Sequence, residues 1–294
     1  MEIFDIWPAA LLAAAILVGL VVGSFLNVVA YRVPVMMELA WRRQLEEIET
    51  EPFTPPPHAK EGRFDLWWPG SACPKCGSPI AGRHNIPILS YLWLRGRCAA
   101  CAAPVSKRYP VVEAFVAVAS LLVAWTFGPT WQTVAALFFT WTLIALALID
   151  FDTKLLPDSL TLPLMWAGLL LGLVTIDGMP LFADLRSSVI GAAAGYLSLW
   201  TVFHLFKLVT GKEGMGYGDF KLLAAIGAWL GWQQLPLVIL LSAAVGSVVG
   251  VGLILFGGRS RQAAIPFGPY LAIAGFIALL FGRDIVDWYV GRLI

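Results

Sequence analysis

An all-α polytopic membrane protein, with about eight transmembrane helices and a small cytoplasmic domain between helices 1 and 2, is the fold class the sequence predicts. Three observations carry it. Of 294 residues, 59% are hydrophobic and only 13% charged, whereas a soluble domain has roughly 25% charged. The apolar residues are gathered into stretches that approach the ~20 residues a crossing needs. One tract, 34–109, is different in kind: polar, proline-rich, basic, and holding all four cysteines. The net charge of +1 gives no reason to expect a nucleic-acid partner.

The first apolar run, Ala9 to Val33, is too long for a signal-peptide core and follows acidic residues, Glu2 and Asp5. It reads as a retained transmembrane helix. Seven further spans are expected near 110–127, 131–150, 158–176, 187–208, 220–233, 235–257 and 266–283. The sixth is short, because its apolar part, Leu222 to Trp232, has only 11 residues. The chain thus divides into a first transmembrane helix (1–33), a cytoplasmic cysteine domain (34–109) and a seven-helix membrane core (110–294).

Lys and Arg placement orients the spans. With the 34–109 tract inside, 17 of the 20 basic residues fall in inside segments, and only Arg186, Arg283 and Arg292 fall outside. Both termini are then outside. Trp125, Trp131, Trp229, Trp232, Trp288 and Tyr289 gather near the outer boundary, as an aromatic belt does.

Cys73-Pro-Lys-Cys76 and Cys98-Ala-Ala-Cys101 are two CxxC knuckles separated by 21 residues. That is zinc-ribbon spacing. Each knuckle aims two thiolates at one metal, and four close a tetrahedral structural Zn2+ site with no open position for catalysis. A redox-active dithiol and an incidental pattern are the other readings. A reducing cytosol disfavours disulfides. His58 and His84 read as solvated loop residues and not as further ligands.

Acidic residues at a membrane edge are costly, which marks them as functional candidates. Asp150 ends the third span and Asp219 begins the sixth, after glycines 214, 216 and 218. The topology puts both at the cytoplasmic surface although 69 positions separate them. Two carboxylates sharing one proton suit general acid–base hydrolysis. The glycines supply backbone shapes closed to other residues. A helix cap or a proton relay would also use acids here. Asp152 reads as solvated and Asp158, after Pro157, as a cap. The run Glu46, Glu47, Glu49 and Glu51 reads as a solvated face that could also attract a basic peptide. Glu113 reads as reaching the interface or a neighbour, or as touching substrate. Asn27 reads as bonding across helices, Arg32 as snorkelling, and His204 as a hydrogen-bonded helix residue. Pro266 and Pro269 suggest a broken first turn in the eighth span.

These residues together resemble the type IV prepilin peptidases. The motifs are Gly23-Ser-Phe-Leu-Asn27-Val-Val-Ala-Tyr31-Arg32, the two cysteine pairs, Ile149-Asp150 through Leu156-Pro157-Asp158, Gly214-Met-Gly-Tyr-Gly-Asp219-Phe-Lys221, and Ile265-Pro-Phe-Gly-Pro-Tyr-Leu-Ala272. The resemblance implies a bacterial inner-membrane aspartyl peptidase of type IV pilus and type II secretion systems, cutting the basic leader from prepilins and pseudopilins. It implies N-methylation of the new N-terminus with S-adenosylmethionine. It matches the catalytic aspartates to Asp150 and Asp219. Some members lack the cysteines, which makes zinc structural. No Gly-x-Gly loop marks a methyl-donor site. Two rivals are a transporter or proton-coupled channel, for which no internal repeat is evident, and a structural assembly protein.

Overall fold

The computed structural model describes residues 8–44, 63–212, 214–255 and 266–292. Glu46, Glu47, Glu49, Glu51, His58, Lys60, Arg259, Arg261 and Ile265 lie outside the described residues, as do Glu2 and Asp5. The chain forms two compact units, 1–129 and 130–294.

The first unit holds α1 (Pro8–Gln44), the short α2 (Leu89–Trp93) and α3 (Arg108–Phe127). α1 does not end at Val33. It runs through Pro34 to Arg42 and Arg43 in its last turn, because the good helix formers that follow the proline outweigh one lost backbone bond. α1 and α3 pack closely through Gly19 and Gly23. A Cβ on either would lie 2.7 Å from an α3 backbone atom, Cα of Ala117 or of Glu113. Small residues four apart let helix backbones approach in this way. The Asn27 amide donates to Gly23 O at 3.1 Å and across to Tyr109 O at 3.5 Å, so it bonds across helices as expected.

Arg32 does not snorkel. It is buried, and its guanidinium donates to the carbonyls of Asp65 (2.8 Å) and Pro69 (2.6 Å), with Phe64 beneath it. A planar fork with several donors suits such loop carbonyls better than a single headgroup contact.

The second unit holds α4 (Trp131–Thr153), α5 (Asp158–Leu171), a two-residue hairpin of β1 (Thr175–Ile176) and β2 (Met179–Pro180), α6 (Leu185–Thr210), α7 (Tyr217–Leu230), α8 (Leu235–Leu255) and α9 (Gly268–Val290). A helix stands in each of the eight expected segments, although α5 stops at Leu171 and β1 occupies the end of the segment expected at 158–176. Among the described residues six are long and apolar enough to cross a membrane. The exceptions are α5 and α7, of 14 residues each, about 21 Å at 1.5 Å per residue.

α7 is short but buried on every side. Phe220 and every residue from Leu222 to Trp229 are buried. A helix apolar all round belongs in the middle of a bundle. Glycines let its neighbours close on it. Gly191 of α6 meets the backbone of Gly227, a Cβ on Gly195 would lie 2.6 Å from Leu223 O, and one on Gly168 of α5 would lie 2.9 Å from the Ala228 carbonyl carbon. Trp229 locks the far end: its Nε1–H donates to Leu164 O at 2.7 Å, and its ring packs on Phe139 and Phe182.

Replacing Gly195 with Leu therefore forces a side chain into the α7 backbone, at a cost of about 1–3 kcal/mol or more. A lowered midpoint of thermal unfolding in detergent is the expected result. Gly252→Leu, where a Cβ meets nothing within 4 Å, is expected to leave the midpoint unchanged.

Candidate active site and metal centre

Asp150 lies in the last turn of α4, and the helix stops there because Lys154 turns left-handed (φ 58°) and returns its N–H to Asp150 O at 2.8 Å. The Asp150 side chain is buried. Its Oδ2 accepts a 2.9 Å hydrogen bond from the N–H of Gly268, the first residue of α9. Phe267 offers no side-chain cap, so a carboxylate from another helix serves in its place. Asp150 also meets the positive end of the α9 dipole. A Cβ on residue 268 would lie 2.6 Å from Asp150 Oδ2. Only glycine leaves the carboxylate its room.

Asp219 is the third residue of α7 and is also buried. Its Oδ2 accepts from the Gly216 N–H at 3.3 Å, half of a capping box. The capping bond and a catalytic role are compatible. The two aspartates lie close enough for their charges to interact. Leu156 links their supports: a Cβ on Gly218 would lie 2.7 Å from Leu156 Cβ, and one on Gly268 would lie 3.2 Å from Leu156 Cδ2. The glycines act differently from expectation. None of Gly214, Gly216 and Gly218 takes a positive φ. Gly218 is needed for the close approach of Leu156, and not for an unusual backbone shape.

The other acids separate. Asp152 is exposed. Asp158 does not cap α5, for no side-chain cap bond is made there. Both its oxygens instead accept from Lys221 Nζ at 2.7 Å, tying the start of α5 to the first turn of α7. Glu113, in the first unit, is buried and accepts from the Ile88 N–H at 2.7 Å, which is the paired-neighbour reading. His204 Nδ1 shares a 2.9 Å hydrogen bond with Trp200 O, as a hydrogen-bonded helix residue does. Pro269 sits in an intact first turn of α9, where the ring costs no backbone bond. Gly268, Leu156 and Lys221 are the site residues that sequence reasoning missed. All three stand inside the motifs; what their neighbours require of them shows only in three dimensions.

The first unit gathers the four cysteines. The Sγ atoms of Cys73, Cys76, Cys98 and Cys101 all lie within 4.8 Å of one another. The two knuckles repeat one design. Gly77 (φ 69°) returns its N–H to Cys73 O at 2.9 Å, and Ala102 (φ 57°) returns its own to Cys98 O at 2.9 Å. Short antiparallel bridges, Ala72 with Pro79 and Arg97 with Pro104, close each loop. Hydrogen bonds from the Ser78 hydroxyl and N–H draw the Cys76 thiol down to about 6. Cys101 has the Ala103 N–H favouring its thiolate, yet neighbouring Cys76, burial and the other two cysteines push it up to about 11. Four thiols this close cannot all ionise unless a cation stands among them. The donor set fits a four-thiolate metal site. His84 is not part of the cluster.

Two family models match. The Bacterial Peptidase A24 N-terminal domain covers residues 17–127 and the Type IV leader peptidase family covers 137–251. A prepilin leader peptidase/N-methyltransferase of Aeromonas salmonicida is 54% identical over 95% of this chain and 93% of its own. Proteins of that name from Pseudomonas aeruginosa and Legionella pneumophila are 53% and 44% identical, over 96% and 94% of this chain and 94% and 93% of theirs. The chain belongs to the prepilin leader peptidase family. No solved structure gives a significant match. The transporter reading finds no support in these relatives.

For a peptidase-family chain with this cluster, the purified protein is expected to retain about one metal ion per chain, as a four-cysteine structural site does. Cys73→Ser and Cys98→Ser are expected to lose it and to render the 63–107 segment sensitive to trypsin. Elemental mass spectrometry and limited digestion read both; metal retained in either variant would contradict the assignment.

Proposed function

We propose that this chain is an aspartic endopeptidase that cuts the basic leader from type IV prepilins and pseudopilins at the cytoplasmic face of the bacterial inner membrane. The observation that carries the reading is the pairing of Asp150 and Asp219. They come from different helices, both are buried, and both are fixed by a backbone N–H at a helix start. One carboxylate, ionised, takes a proton from the attacking water. The other, protonated, donates to the carbonyl oxygen of the scissile peptide as the tetrahedral intermediate forms. Collapse of that intermediate expels the leader and leaves a free amine on the mature pilin. Gly268 and Gly216 hold the two carboxylates still, so little reorganisation is needed during the reaction.

The positive-inside distribution supports a topology with both termini periplasmic and residues 34–109 in the cytoplasm, between a first span and a seven-helix peptidase core at 110–294. A prepilin with a basic leader and an apolar helix would present its scissile bond at that surface. Cys73, Cys76, Cys98 and Cys101 hold Zn2+ in this proposal, and the ion supplies folding energy to a short domain, with no part in hydrolysis. The relatives' name and the resemblance add N-methylation of the new amine, with S-adenosylmethionine as donor. No residue is assigned to hold that donor.

Purified protein in detergent, incubated with a prepilin and followed by mass spectrometry, tests the reading. Asp150→Asn and Asp219→Asn are expected to lose cleavage by ~10²–10⁴-fold or more, the range of general acid–base catalysis. Asp152→Asn is expected to cleave normally. Cleavage surviving in either dyad variant would remove the aspartyl mechanism.

A further inference from the structure

Within the cysteine-bearing loop the usual arrangement of side chains is reversed. α2 buries only its serine. Ser90 accepts from the Ile86 N–H at 2.9 Å and donates to Arg83 O at 3.1 Å. Its large apolar neighbours face outward: Leu89 and Leu92 are each 65% exposed and Trp93 is 70% exposed. Trp67 and Trp68, in the preceding turn, are 76% and 62% exposed. Large apolar side chains exposed in this number on a soluble domain would mark a binding face.

The depth of this surface identifies what covers it. Two anchors pull the loop back alongside the helices. The Ile88 N–H, one residue before α2, bonds to Glu113, which lies five residues into α3 and so ~7.5 Å from its start. Trp67 stacks on Phe25 of α1 with ring centroids 5.5 Å apart. Phe25 lies seven residues, or ~10 Å, further from the basic end of α1 than Arg32. Gly23 and Glu113 face each other at the same level. Both anchors therefore reach below the ends of helices that are long and apolar enough to cross a membrane. The exposed cations Arg83, Arg95 and Arg97 flank α2 in sequence. Tryptophan prefers this boundary, and arginine beside it keeps its charge in the headgroups.

We propose that the face formed by Trp67, Trp68, Leu89, Leu92 and Trp93 is a membrane-embedded foot of the cysteine domain, seated in the cytoplasmic leaflet against anionic lipid. It crosses nothing. It holds the metal-bearing knuckles at a fixed height on the bilayer surface. The inference rests on the membrane-spanning reading of α1 and α3 and is independent of the peptidase chemistry.

The test uses the intact, metal-loaded protein in nanodiscs of phosphatidylethanolamine and phosphatidylglycerol. Hydroxyl-radical footprinting of the unmodified chain, read by mass spectrometry, is expected to oxidise Trp67, Trp68 and Trp93 at least tenfold more slowly than free tryptophan, while Ile80 and Val105 in the knuckles react as exposed residues. A photoreactive benzoylphenylalanine at position 89, where the native side chain is exposed, is expected to give a lipid adduct on irradiation. Free oxidation of Trp67 and Trp93 would overturn the proposal. So would failure to find the lipid adduct, or its replacement by an adduct to a second copy of the chain or to an added prepilin.

Discussion

A single backbone hydrogen bond, from Gly268 to Asp150, is the contact on which the candidate site depends. It joins the end of α4 to the start of α9, elements 118 positions apart. A hydrogen bond to a charged group contributes about 1.5–3 kcal/mol net, and the partly buried helix start adds up to about 2 kcal/mol. The larger consequence is geometric. A buried carboxylate needs its bonds satisfied, and among the described residues this one finds its donor where α9 begins, at a residue without a side chain. Glycine at 268 is thereby required by sterics, and Leu156 closes the space between that glycine and Gly218.

The second aspartate depends on how α7 is held. Fourteen residues make a poor membrane crossing alone. Wrapped by α5 and α6 through Gly168, Gly191 and Gly195, the helix exposes little backbone or side chain to lipid. Van der Waals contact between close backbones supplies the cohesion that the hydrophobic effect cannot supply among helices in lipid. Lys221 and Asp158 add a partly exposed ion pair, worth less as energy than as a constraint on the direction in which α7 leaves its loop. Asp219 inherits its position from that packing.

Much of this was legible in the sequence. Span-length apolar runs and two CxxC knuckles each report a local rule, and the α-helices and the cysteine cluster stand where those rules put them; Asp150 and Asp219 are both buried at helix ends. What was not legible depends on partners distant in sequence. Arg32 has the look of a snorkelling residue until the carbonyls of Asp65 and Pro69 are seen to surround it. Asp158 has the look of a cap until Lys221 is seen beside it. The extension of α1 beyond Pro34 shows a different limit: the apolar run that marks a span ends at Val33, while the helix carries on through polar residues that form helix well. Among the glycines near Asp219, Gly218 is needed for the space it leaves Leu156 and not for backbone freedom.

The central claim is that Asp150 acts from the position Gly268 gives it. Steady-state cleavage of a prepilin by Gly268→Ala, beside a melting curve of the same protein, tests it most directly. A methyl group placed against the carboxylate is predicted to lower kcat by ~100-fold, the scale on which small misplacements of reacting groups act, with KM little changed and the melting midpoint lowered but still above the assay temperature. Wild-type kcat in that variant, with the protein folded, would show that the carboxylate held by α9 does not take part in the chemistry.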